Sequence, residues 1–402
     1  MSTLKEEKVF RDPITGYVKV DQQLIWDCIQ SREVQRMKRI RQLGSTSVVY
    51  HTGEHSRFAH SLGVYEIVRR MVSEVPDLRD ALTDYEKITV ELAALLHDIG
   101  HAPFSHSFES VMNTSHEDYT VQIIREESEV HNLLVAYNPN LPNDVAMVIE
   151  KTHPNKILCQ LVSSQLDADR MDYLLRDSYF TGTKYGEFDL ERILRTLRVA
   201  DDKVVVKASG MHTIEDYIMA RYHMYWQVYY HPVSRSMDTL LNCLFRRLKD
   251  LYQSDNSYAD KYPMFKALLT KDRLSNDEYF LLDDSVCWYS FQLMMNDEDK
   301  ILADLANRLI NRNLFKYDSI DKEQQIKEKV IEKGFDERYY LFHDHQKQSP
   351  YKPYADDSAS SIWVMDEFGK INELSHVSYI VSAVCANNQY QDEKIFFPKE
   401  IL

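Results

Sequence analysis

Apolar residues along this chain recur mostly at spacings of three and four, the period of helices that bury one face. From Gln22 to about Gln42 they fall at Leu24, Ile25, Cys28 and Ile29, and Gly44 follows as a stop signal. The same spacing predicts helices from Arg57 to Val75 and from Asp84 to His97. Shorter ones are predicted from Glu117 to Glu127, Asn143 to Lys151, Lys156 to Gln165 and Asp169 to Tyr179. A long pattern runs from about His212 to Tyr252, interrupted at Pro232. Proline has no amide donor and its ring crowds the carbonyl of Val228, so a kink or break is expected there.

Alternating stretches are fewer. Val9 to Val20 reads as a hairpin, with Asp12-Pro13 and Thr15-Gly16 as turn signals. Lys203-Val204-Val205-Val206-Lys207 reads as a strand after an Asp-Asp turn. Helices continue beyond Ser254 to about Lys333. β-rich pieces then follow at Tyr339 to Phe342, Ser361 to Met365 and Val377 to Cys385. The fold class expected is mainly α: a helical core, a short N-terminal hairpin and a C-terminal α+β region. Residues 1–254 are expected to form one domain, and 255–402 a second, α+β region.

At 402 residues and 44% hydrophobic content, the chain can bury a large core. Its net charge is -15, so an overall basic footprint for nucleic acid is absent and such a partner is disfavoured. A locally basic pocket for phosphates stays compatible with that total. The five cysteines are odd in number and form no CxxC pair, as expected of reduced core residues. Met1 to Lys8 is polar and charged, and no apolar run approaches the ~20 residues of a membrane span. A cytoplasmic location without membrane contact is the expectation.

The chemistry concentrates where the apolar run Leu92 to Leu96 ends in His97-Asp98-Ile99-Gly100-His101-Ala102-Pro103-Phe104-Ser105-His106. A lone histidine is ordinarily a core residue, but packing gives no reason for a helix to end in so many ionisable groups. With His60 upstream and Asp169 downstream, His97 and Asp98 complete a nitrogen and oxygen set suited to a divalent metal with open positions. Mn, Mg, Fe, Zn or Ni all suit these ligands. His101, His106 and His116 are not in that set and point to acid–base work near neutral pH. Glu109, three residues after His106, is placed to keep that histidine protonated. Asp169, Tyr173 and Asp177 share one helix face, so the last two can line a pocket beside the metal. Arg170 adds a cation there. Arg221, Tyr222, Tyr225, Trp226, Tyr229 and Tyr230 form an aromatic stripe in which Tyr229, next to the break, is the candidate for substrate contact.

These motifs resemble the HD-domain metal-dependent phosphohydrolases. Within them the chain is most similar to the deoxynucleoside triphosphate (dNTP) triphosphohydrolases, the branch of bacterial dNTPases and the mammalian sterile-alpha-motif/HD-domain dNTPase. The likeness runs from about Phe10 to Phe315 through Phe10 to Pro13, Gln35 to Gly44, His55 to Gly63, His97 to His106, Leu166 to Asp177 and Arg312 to Lys316. The resemblance implies an HD-domain helical core and a metal held by His60, His97, Asp98 and Asp169. It implies attack by an activated water on the α-phosphorus, releasing deoxynucleoside and intact triphosphate. His106 would donate the proton to the departing sugar oxygen, with Glu109 as its acidic partner. His101 and His116 would surround the triphosphate, and Arg57, Arg170 and Arg221 would contact phosphates. Gln42, Tyr173 and Asp177 match readers of the 3′-hydroxyl, Leu43 the residue that crowds a 2′-hydroxyl, and Tyr229 a tyrosine packed on the nucleoside.

Many members are tetramers with nucleotide effectors between subunits. Gln35, Lys38, Asp189, Arg192 and Arg312 match effector contacts, so a homotetramer and a nucleotide effector are expected. The guanine-specific member has an acidic residue where Gln30 stands, an arginine at Lys38 and a lysine at Pro232, so a GTP effector is not implied. Other HD phosphohydrolases, such as nucleotidases or phosphodiesterases, and a non-catalytic nucleotide sensor are the alternatives.

Overall fold

The computed structural model describes residues 3–104, 108–109, 115–348, 351, 361–386 and 390–402. Strands β1 (Thr3–Asp12) and β2 (Gly16–Gln22) form the expected antiparallel hairpin. Asp12 Oδ1 accepts the amides of Ile14 and Thr15 at 2.9 Å, and Gly16 takes the left-handed φ of 78° that closes the turn. The hairpin docks on the Arg57–Glu74 helix, where Glu66 accepts the Lys19 amide and the Tyr65 hydroxyl donates to the Lys19 carbonyl.

That helix packs against Asp84–Leu96 and Ala168–Thr181, and these three carry most of the site. A capping box at Thr83 and Glu86 starts Asp84–Leu96, whose buried face runs unbroken from Ile88 to Leu96. The long pattern divides as expected at Pro232. Met211–Met224 passes into a π-turn at Tyr225–Tyr229, and Pro232–Ser254 begins behind His231, whose Nδ1 accepts the Val233 amide.

Seven more strands complete the chain: β3 (Leu197–Ala200), β4 (Lys203–Lys207), β5 (Lys316–Ser319), β6 (Phe342–Gln348), β7 (Trp363–Met365), β8 (Ile371–Glu373) and β9 (Tyr390–Phe397). One sheet has the order β3-β4-β7-β8, with β7 parallel to β4, and another the order β5-β9-β6. A single continuous core joins helices from along the chain with the β3-β4-β7-β8 and β5-β9-β6 sheets. Among the described residues no helix is long and apolar enough to cross a membrane. Four cysteines are buried, Cys385 is half-buried, and all five are free.

Three local expectations are corrected. The helix expected from Gln22 to Gln42 is split into Gln23–Gln30 and Arg32–Arg36, followed by a 3-10 turn at Met37–Arg39. Ser31 causes the break: its backbone is extended at ψ 151°, its hydroxyl donates to the Cys28 carbonyl, and it caps the next helix. Val377 to Cys385 reads as strand from its β-branched content, yet Tyr379–Ala386 is helical. Ser378 starts it by accepting the Val381 amide at 3.1 Å. Finally, Tyr339 and Tyr340 lie in a short helix, Glu337–Tyr340, and the strand begins only at Phe342. The helices Glu129–Tyr137 and Leu190–Thr196 and the strands β5, β8 and β9 were not anticipated.

Glu91 generates a testable consequence of this packing. Burial, with Asp21 and Glu66 nearby, raises its carboxyl from 4.5 to about 8 despite Arg69. Between those values the unfolded chain has released the proton and the folded chain still holds it. Glu91's own contribution to stability therefore falls as pH rises from 4.5 to 8 and is flat above. Glu91→Gln removes this dependence, so its melting temperature relative to the unsubstituted chain should rise from pH 5 to pH 8, on the order of several degrees. An equal offset at both pH values, read by calorimetry, would count against it.

Candidate metal centre and substrate pocket

Ser56 caps the Arg57–Glu74 helix, and His60 follows one turn later, fully buried. Its Nδ1 lies 2.8 Å from Asp172 Oδ2. A carboxylate only accepts, so Nδ1 carries the proton and Nε2 points inward. His97 ends Asp84–Leu96 and donates from Nδ1 to the Ala94 carbonyl at 2.9 Å, which likewise turns Nε2 inward. Both Nε2 atoms are buried without a hydrogen-bond partner. Asp169 Oδ1 stands 3.2 Å from His60 Nε2 and 3.7 Å from His97 Nε2. Asp98 lies 3.3 Å from His97 and 3.8 Å from His60, and forms a second, adjoining cluster with His101 and His116.

These His and Asp clusters are poised to coordinate a divalent ion. The electrostatics agree. Burial opposes a charged imidazole, but Asp169, Asp172 and Asp98 raise His60 to about 10. Against the same burial, His60 and His97 hold Asp169 well below the usual carboxylate range. A site that draws protons so strongly onto buried imidazoles is one that a divalent cation satisfies.

Asp98 also faces a second group. His101 Nε2 is 3.3 Å from its Oδ1, and Arg57 Nη1 donates to its Oδ2. The His101 and His116 rings stack at 3.8 Å, and Glu109 lies 2.6 Å from His116 Nδ1. Burial, and then Arg57, keep His101 well below its usual pKa, so its imidazole is neutral at pH 7. Gly100 makes this approach feasible: a Cβ there would lie 2.2 Å from the Thr120 amide and 2.3 Å from the His116 carbonyl. Arg36 Nη1 and the Tyr279 hydroxyl hold the same loop by donating to the carbonyls of His101 and Gly100.

A cavity of about 550 Å³ opens from the cluster. Its lining includes Arg57, Asp98, His101, His116 and Asp169 from the cluster, together with Gln42, Leu43, Tyr173, Asp177, Tyr225 and Tyr229. Asp177 accepts from Tyr229 at 2.7 Å and from His55 at 2.8 Å. Gln42 Oε1 is buried without a partner.

The HD domain model matches residues 57–177, and the HD associated region model matches residues 188–339. The chain is 46% identical to the uncharacterized protein YwfO of Bacillus subtilis (strain 168), over 99% of this chain and 94% of that protein. It is an HD-domain protein. A phosphohydrolase of Bacteroides thetaiotaomicron VPI-5482 shares the fold with a TM-score of 0.84 and 28% identity, over 98% of this chain and 100% of that one. The deoxynucleoside triphosphate triphosphohydrolase SAMHD1 homolog of Dictyostelium discoideum is 27% identical over 79% of this chain and 61% of its own length. The metal-ligating clusters on an HD domain make this chain a metal-dependent phosphohydrolase of the HD superfamily.

The HD-domain site gathers most of the residues singled out in the sequence, but not all. His106 lies outside the described residues, and Glu109 meets His116. Arg170 is turned to Asp167 and the Ser164 carbonyl, away from the cavity lining. Arg221 is not part of that lining either, but adjoins Tyr225 with Nε and Nη1 buried and unpartnered. Lys38 bonds Gln35, Asp189 caps the helix that carries Arg192, and Arg312 donates to the Val48 carbonyl. No hydrogen bond or ion pair joins those three groups among the described residues. Sequence reasoning missed His55, Asp172 and Arg36, and also Arg235, Asp238 and Gln346, which line the cavity.

Asp172 fixes the proton on His60, so its loss should weaken metal binding without removing a ligand. Asp172→Asn is expected to lower metal affinity about 10–100-fold. A metal titration of a variant with a cooperative melt reads this, and unchanged affinity would refute the orienting role.

Proposed function

We propose that this HD-domain protein hydrolyses dNTPs at the α-phosphate, giving deoxynucleoside and intact triphosphate. The observation that carries the reading is the cavity's lining of two unlike kinds. One is the His and Asp cluster. The other is the buried, partnerless Gln42 Oε1 together with Tyr173 and Asp177. A buried amide oxygen without a donor is costly, and a sugar hydroxyl supplies one. Leu43 lines the same wall and leaves an apolar contact where a ribose would bring a further hydroxyl.

Phosphates suit the cluster. Arg57 can donate to phosphate oxygens, and the guanidinium of Arg221, its Nε and Nη1 unpartnered, adds an anion-seeking group beside Tyr225. A divalent ion held by the His and Asp cluster would supply Lewis acidity and ease release of the attacking water's proton to solvent. That water's oxygen bonds to the α-phosphorus, the bond to the sugar 5′-oxygen breaks, and the 5′-oxygen takes a proton. His106 is assigned as the donor from the sequence. The triphosphohydrolase name of the Dictyostelium relative agrees with this chemistry. The reading also includes a homotetramer and a nucleotide effector held through Gln35, Lys38, Asp189, Arg192 and Arg312. In it, residues 255–402 act as the oligomerisation or regulatory region.

Product analysis tests the reaction: each dNTP should yield tripolyphosphate and deoxynucleoside. Orthophosphate or pyrophosphate would reassign the chain to another HD phosphohydrolase, and binding without turnover would make it a sensor. His97→Ala and Asp169→Ala should each lose bound metal and reduce turnover by at least about a thousandfold. Light scattering with and without each dNTP should show a nucleotide-favoured tetramer; a monomer under all conditions would remove that part.

A further inference from the structure

His55 precedes the Arg57–Glu74 helix and is almost wholly buried, yet it does not line the cavity. Its Nε2 is 2.8 Å from Asp177 Oδ1. Because a carboxylate only accepts, Nε2 is the donor. Its Nδ1 is buried with no hydrogen-bond partner, and the ring stacks on Phe180 at 4.7 Å and 20°. A phenylalanine would fill this place and stack as well, without an unsatisfied buried nitrogen. What histidine adds is the single bond to Asp177.

Asp177 is buried, and its other oxygen accepts from the Tyr229 hydroxyl at 2.7 Å. The two donors fix the carboxylate's rotation from opposite sides, and each oxygen keeps a lone pair for a further donor. Without His55, only the Tyr229 bond would orient it. We infer that His55 is a positioning residue for sugar recognition: it locks the Asp177 carboxylate in the rotation that accepts a 3′-hydroxyl, and so sets the preference for 3′-hydroxylated over 3′-deoxy nucleotides. This rests on the nucleotide reading above and adds to it a residue that never touches substrate.

The test compares each dNTP with its 2′,3′-dideoxy counterpart in the metal-loaded, full-length protein, using the unsubstituted chain, His55→Phe and His55→Gln. In the unsubstituted chain kcat/KM should favour the 3′-hydroxyl. His55→Phe should cut kcat/KM for the dNTP about 10–100-fold, the scale of a hydrogen bond to a charged group, and change the dideoxy value less than about threefold. Inhibition by tripolyphosphate, which has no sugar, should be unchanged. Because its amide can also donate, His55→Gln should recover most of the preference. The inference falls if both substrates lose equally in His55→Phe, if the ratio stays intact, or if the unsubstituted chain shows no 3′ preference. Should orthophosphate be the product, the reaction assignment fails while the 3′ ratio still judges His55. Should nothing turn over, calorimetric affinities for the same nucleotide pairs give that ratio.

Discussion

Asp172 carries its carboxylate at zero exposure, and the arrangement of the metal centre depends on how that charge is satisfied. It accepts from His60 on one side and from Arg176 Nε and Nη2 on the other, both at 2.8 Å. Arg176, also fully buried, reaches on to Asp12 at the turn of the N-terminal hairpin. Buried charges are tolerated only when each finds its partners, and this chain of alternating sign leaves none stranded. Room for it comes from Gly63, where a Cβ would lie 1.9 Å from Asp172 Oδ1. The hairpin, which lends no residue to the cluster, thus helps fix which nitrogen of His60 faces it.

The second constraint is that His97 and Asp98 stand where a helix has stopped supplying its own hydrogen bonds. Neighbouring elements take over. Thr120 accepts the Gly100 amide and donates to the His97 carbonyl. Tyr279 and Arg36 hold the carbonyls of Gly100 and His101, and Arg36 also donates to the Leu282 carbonyl. The guanidinium of Arg36 rests on Tyr279, which stacks on Tyr119 at 3.8 Å. Groups from three distant parts of the chain converge on five residues of loop backbone.

Much of this was legible in the sequence. His60, His97, Asp98 and Asp169 meet where the periodicity of three helices places them, and Tyr173 and Asp177 follow on the face of Asp169. The expected hairpin and the break at Pro232 both appear. What stayed hidden depends on contacts between distant segments. Asp172 and Arg176 are four apart on a helix and read equally well as a surface pair; only their burial against Gly63 reveals the function. His55 carries no local signal, because Asp177, which it holds, lies 122 positions away. Arg235 lines the cavity while pairing with Asp344 and Asp392 on the C-terminal strands, partners more than a hundred positions away. Ser31 and Ser378 redirected the backbone through single hydroxyls that hydrophobic spacing does not register.

The π-turn at Tyr225–Tyr229 sets the angular phase of the cavity wall. The Tyr230 amide bonds the Tyr225 carbonyl, five residues back, so this turn holds one residue more than an α-turn. A helix advances about 100° per residue. The widened turn takes up its extra residue within one turn, so only the residues inside it, Tyr229 among them, are re-aimed relative to a regular α-helix. From there Tyr229 reaches Asp177. The segment's length, counted to the residue, is therefore itself a determinant of the site, one that a substitution at fixed length would not expose.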